Sequence, residues 1–245
     1  MKLQELNWPA VAALSRDLPV VIPVAALEQH AHHLPLFTDS MLLGEIVRRA
    51  EETLGDRALF APLTWLGNSE HHLDFPGTLS AAPRTYLSLL GDLLENFIHH
   101  GFKRLLIVNG HGGNDVPGQQ AIFEVRQRHR ERRDLLLLFS IYWRGGVPAE
   151  GFIQTQMGHA GELETSMVLR IAPQLVGDIT KLEPNPLDNP FAPASRGWTT
   201  RERTPIGYFG DPRAATADKG EILFRKFSGD VVGLIERMVT WDGQA

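Results

Sequence analysis

Lys103-Arg104-Leu105-Leu106-Ile107-Val108 runs directly into Asn109-Gly110-His111-Gly112-Gly113-Asn114, and this passage decides the fold. Four consecutive apolar residues, with charge before them and glycine after, predict a strand buried on both faces, as in a parallel sheet. The glycines permit a tight path and close backbone approach, so the turn would carry His111 at the strand's carboxyl end. By itself the turn has an equally ordinary reading, a loop that happens to contain a histidine.

Upstream of this strand, 83–100 is the clearest helix. Ser80 lies just before it, Pro83 suits a first turn, Leu87, Leu90, Leu94, Phe97 and Ile98 keep helical spacing, and Gly101 ends it. Downstream, a helix near 118–132 and a strand at 135–142 complete a second unit. Toward the N-terminus the pattern repeats as a strand at 20–25, a helix at 41–52 and a strand at 58–63. Such alternation predicts an α/β fold with a mostly parallel central sheet and helices on both faces, with its site beyond the carboxyl ends of the strands.

A chain of 245 residues with 43% hydrophobic content can bury a large core, and neither linker nor repeat divides it, so one domain is expected over 1–245. A formal charge of −5 argues against a nucleic-acid partner. The basic run through Arg126, Arg128, Arg130, Arg132 and Arg133 is interleaved with Glu124 and Glu131 and reads as a solvated helix face. With no cysteine, any metal must be held by His, Asp and Glu. No signal-peptide core and no span of ~20 apolar residues is visible, so the expectation is a cytoplasmic protein with no membrane partner.

Two further clusters carry chemistry. After the 20–25 strand comes Glu28-Gln29-His30-Ala31-His32-His33-Leu34-Pro35-Leu36-Phe37-Thr38-Asp39, a mixture of carboxylate and imidazole donors that suits Zn, Mn or Fe. The other is Gly158-His159-Ala160-Gly161-Glu162-Leu163-Glu164-Thr165-Ser166, opening an amphipathic helix. If His159 stands near the helix start, Glu162 three residues on faces the same way. Acids in a first turn also favour the helix dipole, which explains one of Glu162 and Glu164 but not the pairing with His159.

These clusters, with Glu70-His71-His72, Phe75-Pro76-Gly77-Thr78, Gly207-Tyr208-Phe209-Gly210-Asp211-Pro212 and the 215–220 segment, resemble the creatininase (creatinine amidohydrolase) family in five ordered blocks over about residues 20–220. The resemblance implies a three-layer αβα sandwich, two divalent metal ions per chain, hydrolysis of a non-peptide or unusual amide C–N bond, and often a homohexamer. It implies that Glu28 and His111 bind one metal, His30 the other, and that Asp39 bridges both. Creatinine-hydrolysing members place a glutamate two residues after the turn's histidine, where this chain has Gly113. Related members with two glycines in this turn place a carboxylate at the helix position, so Glu162 is expected as the second metal's ligand and Glu164 as structural. His159 matches the family's proton-transfer histidine.

In the implied mechanism a water shared by the metals is acidified toward ~7 and attacks the polarised carbonyl. His159 passes a proton to the leaving nitrogen. Creatininases also carry a tryptophan four residues before that histidine, where Thr155 stands here, while Trp143 sits in a Tyr-Trp pair like theirs. Trp143, His72, Gly112 and Gly113 are the expected substrate-binding residues. The substrate is expected to be a small molecule, a cyclic amide or a formamide. A small modified cofactor-precursor peptide, or a catalytically idle relative that keeps its metals, is the alternative.

Of the remaining histidines, His32 is expected at the solvent edge, and His33, His71 and His72 in hydrogen bonds around the metals. His99, His100 and His129 are given no role. The Phe75–Thr78 segment is either a β-turn or a backbone contact to substrate. Residues 182–205, with five prolines and Trp198, form an irregular stretch expected to be a lid or a subunit contact.

Overall fold

A computed structural model of the chain describes residues 1–186 and 188–243; Leu187 in the proline-rich stretch and the last two residues of the expected 1–245 unit lie outside them. The strands are β1 (Val20–Val24), β2 (Leu59–Phe60), β3 (Arg104–Asn109) and β4 (Leu136–Ile141). They form one parallel sheet in the order β2-β1-β3-β4. The α-helices are α1 (Trp8–Ala12), α2 (Thr38–Leu54), α3 (Pro83–His99), α4 (Asp115–Arg128), α5 (Glu162–Ile171), α6 (Thr200–Arg203) and α7 (Ala217–Thr240).

Side chains along a strand alternate between the two faces, and the apolar residues of the central strands divide accordingly. Val20, Ile22, Val24, Leu105 and Ile107 pack with Tyr86, Leu90 and Leu94 of α3 and Val125 of α4. Val21, Leu106 and Val108 pack on the other side with Leu42 and Ile46 of α2, Met167 of α5 and Phe224 and Phe227 of α7. Helix, sheet, helix is the three-layer αβα sandwich. Each of these large buried side chains contributes about 1.5–3 kcal/mol of transfer free energy, which is why β1 and residues 105–108 of β3 are apolar and do not alternate with polar residues.

The strand expected over 58–63 is shorter than its apolar run. Ala61 N donates to Val21 O at 2.8 Å, but the next bond is from Thr64 N to Pro23 O at 2.9 Å. Pro23 and Pro62 have no N–H to offer between those bonds, so the regular ladder is broken there and only an isolated bridge, Val24 to Thr64, follows.

The order of the strands places the site. β1 and β3 are neighbours, yet the chain leaves β1 for α2 on one face and leaves β3 for α4 on the other. The two exits diverge and open a crevice at the carboxyl ends, the switch point at which parallel sheets bind ligands.

Candidate metal centre

The crevice gathers side chains from four segments. Glu28 and His30 lie on the loop after β1, Asp39 in the first turn of α2, His111 on the turn after β3 and Glu164 in the first turn of α5, and all are buried. The chain bends sharply beside two site histidines, with Ala31 at φ 56° and Ala160 at φ 50°. Non-glycine residues adopt this conformation at a cost, and it concentrates at functional sites. Potential ligand atoms of Glu28, His30 and Asp39 lie within 4.8 Å of one another, as do those of Glu28, His71 and His111, and those of His30, His159 and Glu164.

Backbone carbonyls decide which imidazole nitrogen faces the centre. His30 donates from Nδ1 to the Glu28 carbonyl at 3.1 Å, leaving Nε2 3.1 Å from Asp39 Oδ1 and 3.9 Å from Glu164 Oε2. His111 donates from Nε2 to the Asn68 carbonyl at 2.9 Å, and its Nδ1 lies 3.0 Å from Asp39 Oδ2 and 3.3 Å from Glu28 Oε1. Asp39 thus stands between two imidazoles with one oxygen toward each. Glu28 Oε2 and Asp39 Oδ2 are buried without a hydrogen-bond partner. A lone pair aimed at a carboxylate from about 3 Å is repulsive unless a proton or a cation lies between them, so this donor set fits divalent metal.

Protonation of the metal-free cluster follows the same logic. Burial disfavours charge on His30, but the Asp39 charge and hydrogen bond, with Glu164 and Glu28 beyond, raise it to about 9. Burial opposes charge on His111 too, and Glu28 and Asp39 hold it well above its ordinary value. For Glu28, burial is outweighed by His111 and His72, and its carboxyl is held well below the usual range.

His159 is the edge of the cluster. Its Nε2 donates to the Gln29 carbonyl at 2.8 Å, and Nδ1 lies 3.5 Å from Glu28 Oε1. Burial first, then the charge of His30, push it well below its ordinary value, so it is a neutral proton acceptor. His72 is oriented the other way. Its Nδ1 accepts from Gln29 Nε2 at 2.8 Å and from Thr200 Oγ1 at 2.9 Å, so Nε2 carries the proton, 3.4 Å from Glu28 Oε1. A nitrogen committed to donating toward Glu28 has no lone pair for a cation.

At Glu162 the structure corrects the sequence reading. Its Oε2 accepts from Ile153 N and Gln154 N at 2.8 Å each, and its Oε1 is bound by Lys219 Nζ at 2.6 Å. Those bonds point the carboxylate away from the cluster and fasten the 152–154 loop to α5. Glu164, expected to be structural, takes the place beside His30. The reason is that α5 begins only at Glu162, with Gly161 as its cap and Ala160 turned to positive φ. His159 is therefore not in the helix, and the three-residue facing rule does not apply.

Gly113 is explained by its surroundings. A Cβ there would meet Asn68 O at 2.1 Å and His111 Nε2 at 2.5 Å, the two atoms whose bond orients His111. No side chain fits, and the carboxylate near His30 comes from the opposite wall.

The centre opens into a cavity of about 600 Å³. Trp143, His72, Gly112 and Gly113 all line it, together with Met157, Phe209 and the 196–198 stretch, which the sequence left undecided. Trp198 meets His71 edge-on at 5.3 Å between ring centroids. His33 lies outside the cavity, its Nε2 3.1 Å from Thr165 Oγ1, and His32 is exposed. The basic run is a surface face, with Arg128 on Glu95 and Arg132 on Asp134.

A family model, "Creatininase: Creatinine amidohydrolase", matches residues 4–235. The chain is 29% identical to creatinine amidohydrolase of Pseudomonas putida, covering 89% of this chain and 90% of the relative. It is 31% identical to the mycofactocin precursor peptide peptidase of Mycolicibacterium smegmatis, covering 91% and 85%. A crystal structure of creatininase superposes with a TM-score of 0.83 at 26% identity, covering 98% of both chains. Solved creatininases include a Zn–Zn form at 27% identity and a manganese form at 26%, each with a TM-score of 0.82 and covering at least 98% of both chains. This chain belongs to the creatininase family, hydrolases of carbon–nitrogen bonds.

Proposed function

We propose that the chain is an amidohydrolase with two divalent ions, cleaving the C–N bond of a small amide. The observation that carries this is the opposed orientation of His30 Nε2 and His111 Nδ1 about the two oxygens of Asp39. Glu28 completes the His111 side and Glu164 the His30 side, so Asp39 is the shared ligand. Zinc, manganese and iron all suit these donors. Two such ions would acidify a water toward neutrality and polarise the scissile carbonyl.

The chain's own groups do the rest. Neutral His159 faces the centre through Nδ1, where it accepts the water's proton and hands it to the leaving nitrogen. The Gln29 carbonyl holds its other nitrogen protonated, which fixes the ring for both steps. His72 keeps Glu28 oriented. Trp143, Gly112 and Gly113 face the substrate.

Thr155 in place of the creatininase tryptophan, and a cavity of a size that encloses ligands larger than one small ring, favour a formamide or other amide over creatinine. Likeness to the mycofactocin precursor peptide peptidase keeps a small modified peptide as the second reading. The family resemblance also supports a homohexamer, which sedimentation would test. Among the described residues no helix is long and apolar enough to cross a membrane.

His159→Asn tests the catalytic assignment. Elemental analysis should still find two ions per chain, while hydrolysis of a panel of cyclic amides, formamides and short peptides slows by roughly 10²- to 10⁴-fold. Loss of an ion would make His159 a ligand instead. Hydrolysis at the wild-type rate would remove it from the mechanism.

A further inference from the structure

Arg196 is the single lysine or arginine among the described residues that line the cavity. It is exposed, and it makes no hydrogen bond or ion pair with any described residue. The carboxylates that line the cavity are all engaged. Glu28, Asp39 and Glu164 belong to the metal centre, and Asp115 is bound by Arg144 at 2.9 Å and by Gln119 at 2.8 Å. Arg196 is therefore not the counter-ion of any of them.

Its place is set by the residues that follow. Trp198 packs edge-on against His71 and, with centroids 6.0 Å apart, against Phe209, while the Arg203 guanidinium lies 5.0 Å from its ring centroid. Thr199 begins α6 with a capping box, and Thr200 is buried with its hydroxyl on His72. An irregular segment is thus pinned at both the aromatic wall and the histidine cluster, and the pinning delivers an uncommitted guanidinium to a cavity otherwise rimmed by Trp143, Trp198 and Phe209.

We propose that Arg196 binds a carboxylate on the substrate, so that the amide cleaved belongs to a carboxylate-bearing molecule whose aromatic or apolar body lies against Trp143, Trp198 and Phe209. The inference rests on the amidohydrolase reading of the same centre and names its substrate class. A guanidinium presents paired N–H donors in a plane that matches the two oxygens of a carboxylate. The carboxylate then holds the far end of the substrate while its amide carbonyl reaches the metals.

The test uses the metal-loaded enzyme with two matched probes, N-formyl-L-phenylalanine and its neutral carboxamide, read by calorimetric Kd and by kcat/KM. Wild type should prefer the acid by about tenfold or more. R196A should bring that ratio close to one, and R196K should restore part of it. A wild type that does not prefer the acid overturns the proposal. So does an R196A variant that keeps the preference, which would send the carboxylate to the metals. Arg196-dependent preference in binding with no hydrolysis of either probe would count against formamide hydrolysis and leave the carboxylate site standing. Equal hydrolysis of both would do the reverse.

Discussion

Glu162 and Glu164 begin the same helix, and two residues of α-helix turn them about 200° apart. One carboxylate is consumed by two backbone amides and Lys219, the other lies beside His30. Glu164→Gln should therefore drop metal content from two ions per chain to about one, with the Glu28–Asp39–His111 side still filled. Glu162→Gln should keep both ions but destabilise the fold by roughly 1–3 kcal/mol, because part-buried Lys219 loses its buried anionic partner. Elemental analysis and thermal melts decide between them, and the opposite pattern would return the ligand role to Glu162. The other candidate donors were visible in the sequence, because His, Glu and Asp at a strand's end are chemically conspicuous. Glu164 was not, since nothing in the letters shows that Ala160 takes positive φ and delays the helix by a turn. Gln29 and Thr200 were invisible for a different reason: their roles depend on contacts with residues far along the chain, such as the 128 positions that separate His72 from Thr200.

Among the elements, apolar runs and helix stops located β1, α3 and β3 to within a residue or two, because both are local properties. β2 was overestimated since its length depends on what Pro23 and Pro62 do to a shared ladder. Hydrophobic pattern equally leaves unstated how α2, α5 and α7 are held together outside the core, where Glu221 of α7 serves as the junction. Its carboxylate accepts from Arg49 of α2 at 2.9 and 3.0 Å, from Arg170 of α5 at 2.9 Å and from Arg225 of its own helix at 2.9 Å. The Arg49 bonds above all, against some burial and helped by Arg170 and Arg225, hold Glu221 down from 4.5 to about 2. A carboxyl depressed on folding contributes stability that is fully present above its ordinary value and is lost as pH falls through the depressed one. Glu221→Gln should lower Tm at pH 7 by roughly 2–4 °C, as expected for about 1 kcal/mol in a chain of this size. The difference from wild type should close between pH 4.5 and about 2. A gap unchanged at pH 3 would mean that packing, not charge, links the helices.

The candidate metal centre ties together parts of the molecule that the core leaves separate. Its donors come from the ends of β1 and β3, from the start of α2 and from the start of α5, so ions held there bind the folded arrangement and have no comparable site in the unfolded chain. The same donors, left without metal, crowd carboxylates and imidazoles into a buried space that protons must neutralise. A ligand present at 100 times its Kd stabilises the folded state by about 2.7 kcal/mol per site, which at this chain length corresponds to roughly 5–10 °C in Tm. Chelation should therefore lower Tm by at least that amount, and zinc or manganese should restore it. Asp39→Ala removes the ligand common to both ions, so its Tm should respond to neither chelator nor metal. If the wild type lost its ions without any change in Tm, the cluster would be held by protein contacts alone and the ions would act only on substrate. If Asp39→Ala still gained stability from added metal, the shared-ligand geometry would be wrong, and each ion would have to be anchored by Glu28 and His111 or by His30 and Glu164 independently.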